Sequence, residues 1–289
     1  MTFKAFWQPL AAIYGENEAR WIGREVFLLR YGLSQTALLM GEAEHISEAE
    51  LKGLQQRLLE GEPVQYVVGE TEFCGHRFHT AHGVLIPRPE TEELCRWIVE
   101  EWKEESGKGK VESGKRKEES GKRLLDIGTG SGCIACTLAA ELKEAQVGAW
   151  DISADALRIA RGNAERLGVS VNFELVDALQ PPHPTPGSLD IIVSNPPYVC
   201  QQERADMERH VLDHEPSLAL FVPDDDPLLF YRAIADYALQ ALRPGGRLYF
   251  ELNCRFAHET ADMLQQAGFS DVCIRKDQYG KDRFISACR

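Results

Sequence analysis

The sequence predicts an α/β protein: a doubly wound, mostly parallel sheet preceded by a small helical domain. Three observations carry this expectation. From Arg123 onward short apolar runs alternate with amphipathic helical segments. The first strand-to-helix junction, "DIGTGSG", is glycine-rich. Residues before about 70 show helical spacing and no convincing strand. A chain of 289 residues has room for one large domain and one smaller one.

In the helical part, "EARWIGREVFLLRYGL" places Trp21, Ile22, Val26 and Leu29 at helical spacing. "SEAELKGLQQRLLEGEP" begins with Ser47 as the expected N-cap, with Glu50 three residues later, and stops at Gly61 and Pro63. "QYVVGETEFCGHRFHT" then turns β-rich with internal glycines and reads as a hairpin. "GVLIPRPETEELCRWIVEEW" follows, with Pro87 and Pro89 stiffening the approach to an amphipathic helix from Thr91 to Trp102. The expected division is a helical domain at 1–70, a linking hairpin at 71–86 and an α/β domain at 87–289. Within the last, residues 103–122 repeat "ESGK" three times among interleaved charges, which predicts a mobile solvated insertion.

From Arg123 the strands read "RLLDIG", "QVGAWD", "VNFELVDA", "LDIIVSN" and "RLYFEL". Between them lie the helices "CIACTLAAEL", "SADALRIARGNAERLG" and "PLLFYRAIADYALQAL", the last ended by "RPGG". In such a sheet ligands lie beyond the carboxyl ends of the strands, where the strand order reverses.

Hydrophobic content of 44% and charged content of 27% are those of a globular protein without a membrane span. The opening residues lack the pattern of a secretory signal, so the expected compartment is the cytoplasm. A net charge of −13 argues against a grip on duplex DNA. Eight scattered cysteines include one close pair, Cys133 and Cys136, which at the start of a helix reads as reduced packing thiols, with no metal site expected.

The glycine loop, with Gly128, Thr129, Gly130, Ser131 and Gly132, allows a tight turn and close approach of a nucleotide-type cofactor. The dinucleotide fingerprint fails because Cys133 stands where its third glycine belongs. G-x-G-x-G after an acidic residue is the form that sulfonium-cofactor methyltransferases use. Asp151, ending the next strand, is placed to accept the ribose hydroxyls, while Ser153 caps the following helix. Asp177 and Ala178 are expected beside the adenine, although Asp177 is equally suited to capping its own loop.

"SNPPY" ends the strand "LDIIV". A methyl group on a sulfonium is already activated, so the protein must mainly hold the nucleophile in line. For a planar nitrogen, the Asn195 side-chain oxygen can accept one N–H and the Pro196 carbonyl the other. Pro196 and Pro197 lock the backbone in that pose, and Tyr198 offers a flat wall. Binding both hydrogens leaves electron density on nitrogen as the methyl arrives, without a strong general base. Asn195, Pro196 and Tyr198 are therefore the candidate catalytic residues, with Pro197 lining the substrate side and Asn195 also bordering the cofactor.

"NPPY" after a strand with "DIGTGSG" upstream resembles the class I (Rossmann-like) methyltransferases that act on planar nitrogen, whose fold implies a seven-stranded sheet. "GEPVQYVVGETEF", "IPRPETEEL", "HEPSLAL" and "GKDRF" narrow the resemblance to the HemK/PrmC-type protein-(glutamine-N5) methyltransferases of peptide chain release factors. It spans nearly the whole chain and implies methyl transfer from S-adenosylmethionine to the glutamine of the Gly-Gly-Gln loop of class-1 release factors. It further implies a cofactor held at 128–132, Asp151 and Ala178, a glutamine held at 195–198, and a helical domain that helps dock the release factor, with residues 87–91 either lining the other wall or serving as a rigid interdomain connector. A monomer with neither a DNA nor a membrane partner is expected. The insertion at 103–122 has no counterpart in that family pattern.

Three other readings compete. An adenine-amine methyltransferase acting on DNA or RNA needs the same two acceptors, but the acidic charge and the lack of a basic recognition domain oppose it. A NAD-dependent oxidoreductase conflicts with Cys133, and a non-enzymatic translation factor leaves both motifs unexplained.

Overall fold

The computed structural model describes residues 1–108 and 121–289. They form two compact units, one of residues 1–72, 77–82 and 206–215 and another of 73–76, 83–205 and 216–289. The segment 206–215, expected in the α/β domain, thus groups with the helical residues.

The helical unit contains α1 (Glu16–Glu25), continued by a π turn at Val26–Arg30, and α2 (Glu48–Leu59). Its core holds Phe6, Leu10, Ile22, Val26, Phe27, Leu51 and Leu58. Trp21, expected in this stripe, stands on the outer face and is 46% exposed. Ser47 occupies the N-cap position of α2 without making a capping hydrogen bond, and Glu50 instead pairs with Arg30 at 3.3 Å. Val64–Val68 is a helical turn, closed by left-handed Gly69, so the β-rich stretch begins later than expected. The hairpin itself comprises β1 (Glu70–Phe73) and β2 (His76–His79). Cys74 (φ 49°) and Gly75 (φ 75°) are both left-handed at its tip, as a type I′ turn requires.

In the other unit, α3 (Pro89–Lys108) starts with proline and two acidic residues in its first turn. It outlasts the expected helix by a turn and a half, so residues 103–108 of the expected insertion are helical. Residues 109–120 of that insertion lie outside the described residues.

The sheet strands are β3 (Arg123–Ile127), β4 (Gln146–Asp151), β5 (Val171–Leu175) and β6 (Leu189–Ser194). A two-residue parallel pair, β7 (Val199–Cys200) and β8 (Phe221–Val222), stands apart. The remaining sheet strands are β9 (Leu242–Glu251), β10 (Ser270–Lys276) and β11 (Asp282–Cys288). "RPGG", expected as a helix stop, lies within β9, and Val176–Ala178 fall beyond the end of β5.

The seven strands run in the order β10-β11-β9-β6-β3-β4-β5, with β11 antiparallel to both neighbours and the others paired in parallel. Helices α4 (Cys133–Glu141), α5 (Ala154–Leu167), α6 (Leu229–Ala241) and α7 (Ala257–Ala267) complete the unit. Strands covered on both faces must be apolar throughout, and Leu125, Ile127, Ile192, Leu248, Phe250 and Ile285 are accordingly buried in one core.

From β3 the chain steps outward through β4 to β5, then returns to β6 on the other side of β3. Ile127 pairs with Trp150 on one side and Ser194 on the other, and Ser194 pairs with Phe250. The next residues along these strands, Asp151, Gly128, Asn195 and Glu251, therefore emerge at one level beyond the topological switch point.

Candidate active site

The glycine loop leaves β3 through a turn in which the Gly128 and Thr129 amides both donate to the Trp150 carbonyl, each at 2.9 Å. Two carboxylates brace it from below. Asp126 Oδ2 accepts from the Thr129 hydroxyl at 2.6 Å and from the Ala135 amide at 3.2 Å. Asp151 Oδ2 accepts from the Gly130 amide at 2.8 Å, and Oδ1 accepts from the Ser153 amide at 2.8 Å. Ser153 caps α5 with its own hydroxyl, as expected, so Asp151 is not spent on that helix.

The three glycines do different work. Gly128 (φ 77°) and Gly130 (φ 55°) are left-handed, and a Cβ on either would meet nothing within 4 Å. Their open side is a cradle of bare backbone. Gly132 (φ 81°) instead faces α5, where a Cβ would come within 2.9 Å of the Ala160 Cβ and 3.3 Å of the Cys136 sulfur. Thr129 and Ser131 side chains are buried, so these residues present backbone at the loop's open side. We predict that Gly132→Ala lowers stability by about 1–3 kcal/mol, from a strained φ and an overpacked helix contact. Urea denaturation at fixed cofactor concentration reads this, and an unchanged midpoint would show that α5 yields freely.

The carboxylates also set the electrostatics. Burial pushes the Asp126 carboxyl up to about 7, against the opposing hydrogen bonds from Thr129 and Ala135. Its unfolded value is about 3.9. Between those values the folded protein retains a proton that the unfolded chain has lost, so stability falls as pH rises through that window. Without cofactor, the melting temperature of the wild type should decline from pH 4 to 7 relative to Asp126→Asn. A constant difference would place the ionisation elsewhere. Burial likewise raises the Asp151 carboxyl, opposed by the backbone amides it accepts from. Cys133 and Cys136 are buried with raised thiol pKa values, Cys136 to about 12, and pack as protonated side chains.

Beyond β5, Asp177 Oδ1 accepts from the Leu179 amide at 2.8 Å and Oδ2 from Gln180 at 3.5 Å, the loop-capping arrangement weighed from the sequence. Ala178 packs against the main core. Val176 donates to the Asp151 carbonyl at 3.0 Å, which ties this loop to the end of β4.

Asn195 follows β6 directly and is half-buried. Its Nδ2 donates to Thr91 Oγ1 at 3.3 Å, while Oδ1 accepts no hydrogen bond among the described residues. Pro196 is buried, and among the described residues no hydrogen bond ends on its carbonyl. Tyr198 is held by both ends. Its hydroxyl donates to Glu251 Oε1 at 3.1 Å, and its carbonyl accepts from Asn253 Nδ2 at 3.0 Å. Burial, and next to it the Glu251 charge, raise the Tyr198 phenol well above its ordinary value, so it stays a donor.

The residue that sequence reasoning missed is Glu251. It ends β9, is 1% exposed, and accepts from Thr91 Oγ1 through Oε2 at 2.6 Å as well as from Tyr198. Burial raises its carboxyl, partly offset by the Thr91 hydrogen bond and the Arg283 charge. Arg283, from the "GKDRF" stretch, donates to Asp277 at 3.3 Å and to the Leu252 carbonyl at 3.1 Å. The available signal was a glutamate inside the apolar strand "LYFEL", a position that demands a partner.

The donor set fits an S-adenosylmethionine cofactor: bare glycine backbone faces open space at Gly128 and Gly130, and the Asp151 oxygens keep lone pairs beyond those that accept from the Gly130 and Ser153 amides. Residues 115–215 match the family model described as "Methyltransferase small domain". The chain is 44% identical over 98% of its length, and 97% of the relative, to a release factor glutamine methyltransferase of Bacteroides thetaiotaomicron. It is 40% identical to one of Flavobacterium psychrophilum, over 97% and 95% of the two chains. The crystal structure of a methyltransferase from Pyrococcus furiosus shares the fold, with a TM-score of 0.50 at 18% identity over 82% of this chain and 98% of that one.

The fold and the glycine loop define an S-adenosylmethionine-dependent methyltransferase of the class I, Rossmann-like type. Within that class the chain belongs to the release factor glutamine methyltransferase family.

Proposed function

We propose that this chain transfers a methyl group from S-adenosylmethionine to the side-chain amide nitrogen of the glutamine in the Gly-Gly-Gln motif of class-1 peptide chain release factors, releasing S-adenosylhomocysteine and one amide proton, and so acts in translation termination. The observation that carries the reading is a pair of acceptors just past β6, Asn195 Oδ1 and the Pro196 carbonyl, unpartnered among the described residues, with Asn195 level with Gly128 at the glycine turn of β3. A primary amide has two N–H bonds, and two acceptors at adjacent residues match that number. The names of the relatives support the substrate.

When bound, S-adenosylmethionine supplies a methyl group already activated on a sulfonium. The chain's own task is then positioning. Asn195 and Pro196 would hold the two amide hydrogens, Tyr198 and Pro197 would wall the planar group, and the backbone of 128–132 would hold the cofactor. Asp151 would take the ribose hydroxyls, while Ala178 and Asp177 would border the base. Among the described residues no helix is long and apolar enough to cross a membrane. We expect a cytoplasmic monomer whose helical unit helps dock the release factor.

The experiment is incubation with labelled S-adenosylmethionine and a separately purified class-1 release factor, followed by mass mapping. One added methyl on the Gly-Gly-Gln glutamine is the expected result. Label on adenine of added nucleic acid, with none on the release factor, would keep the NPPY chemistry and overturn the substrate.

A further inference from the structure

We propose that Glu251 is a positioning residue for methyl transfer, setting which way round the Asn195 amide is held by acting through the Thr91 hydroxyl. The inference rests on the glutamine reading above.

The argument is an inventory of protons. An ionised carboxylate only accepts hydrogen bonds, and a threonine hydroxyl has one proton to give. At 2.6 Å from Glu251 Oε2, Thr91 commits that proton to the carboxylate and turns a lone pair toward Asn195. Of the two ends of the Asn195 amide, only Nδ2 can bond to a lone pair, and it does so at 3.3 Å. Oδ1 is thereby aimed away, as the acceptor that a substrate N–H needs. Were Thr91 free to donate, the reversed amide would satisfy it equally well and would present a donor to another donor.

The other Glu251 oxygen accepts from Tyr198, so one buried carboxylate orients both ends of the NPPY stretch. Its backbone is fixed as well, because Tyr231 donates to the Glu251 carbonyl at 3.1 Å. The groups facing the carboxylate are Thr91 and Glu90 on α3, Tyr198 after β6, and Arg283 on β11; burial and the Glu90 charge raise its pKa, while the hydroxyls of Thr91 and Tyr198 and the Arg283 charge favour the ionised form. A buried glutamate is costly in a strand that could hold leucine, so packing alone does not account for one at this position.

Glu251→Ala would take the acceptor from the Thr91 and Tyr198 hydroxyls and threatens folding, so the test uses Thr91→Val, Thr91→Ser, Glu251→Gln and the Thr91→Val/Glu251→Gln double variant. Each is assayed for kcat with the release factor, with cofactor Kd and melting temperature measured alongside. We expect Thr91→Val and Glu251→Gln each to lower kcat about tenfold, the scale of one hydrogen bond. Cofactor Kd should stay within about twofold, and Thr91→Ser should recover most of the rate, because the hydroxyl alone carries the orientation. The double variant should be no slower than the slower single one, since Glu251 acts through Thr91. If Thr91→Val turns over like the wild type, or if the two losses multiply, the inference is overturned. Wild-type failure on the release factor would instead overturn the substrate reading, so the two failures are distinguishable.

Discussion

Asn195→Ala is expected to lower kcat about a hundredfold to a thousandfold, the range seen when one preorganised polar group is removed from a reacting centre. Among the described residues the side chain's one hydrogen bond goes to Thr91, so its removal leaves Glu251 still satisfied by Thr91 and Tyr198. The melting temperature should therefore hardly move. Cofactor affinity should stay within about a factor of three, because Asp151 and the glycine loop remain intact. Single-turnover transfer to the release factor, beside calorimetric titration of S-adenosylhomocysteine, separates the two quantities. Near-wild-type transfer would mean that the amide nitrogen is held by something other than Asn195.

Asp151→Ala has the opposite signature. Two hydrogen bonds to a carboxylate are worth about 1.5–3 kcal/mol each, so cofactor Kd should rise about a hundredfold or more. Part of that loss comes from the loop itself, because the Gly130 and Ser153 amides lose their acceptor and the turn loosens. With saturating cofactor, kcat should recover toward the wild-type value, since nothing near the Asn195 amide has changed. A kcat that stays low at saturation, with an unaltered Kd, would assign Asp151 to the chemical step. If both results hold, the row of strand ends divides into a cofactor half at β3 and β4 and a substrate half at β6 and β9.

Much of this site is legible in the residues. The glycines at 128, 130 and 132 report a turn because side chains penalise left-handed φ, and all three are left-handed in the structure. Pro196 and Pro197 report a backbone withdrawn from sheet pairing, and the strand indeed ends at Ser194. Ser153 reports a helix start, and it caps α5. Local signals err where tertiary contacts outbid them. Ser47 leaves its cap unmade, and Trp21 sits outside a stripe whose other members face the core. "QYVV" reads as β-rich by composition yet forms a helical turn between Pro63 and Gly69.

By itself, then, the sequence determined the strand-helix alternation, the glycine turn, the NPPY corner and the cofactor class, because each is written in residues adjacent along the chain. Only the tertiary structure decided that Glu251 lies level with Asn195, 56 positions earlier in the chain, and that Thr91 stands between them. The reason is the parallel sheet: its neighbouring strands are joined by long crossovers, their register depends on packing of the whole core, and no local pattern of residues records it.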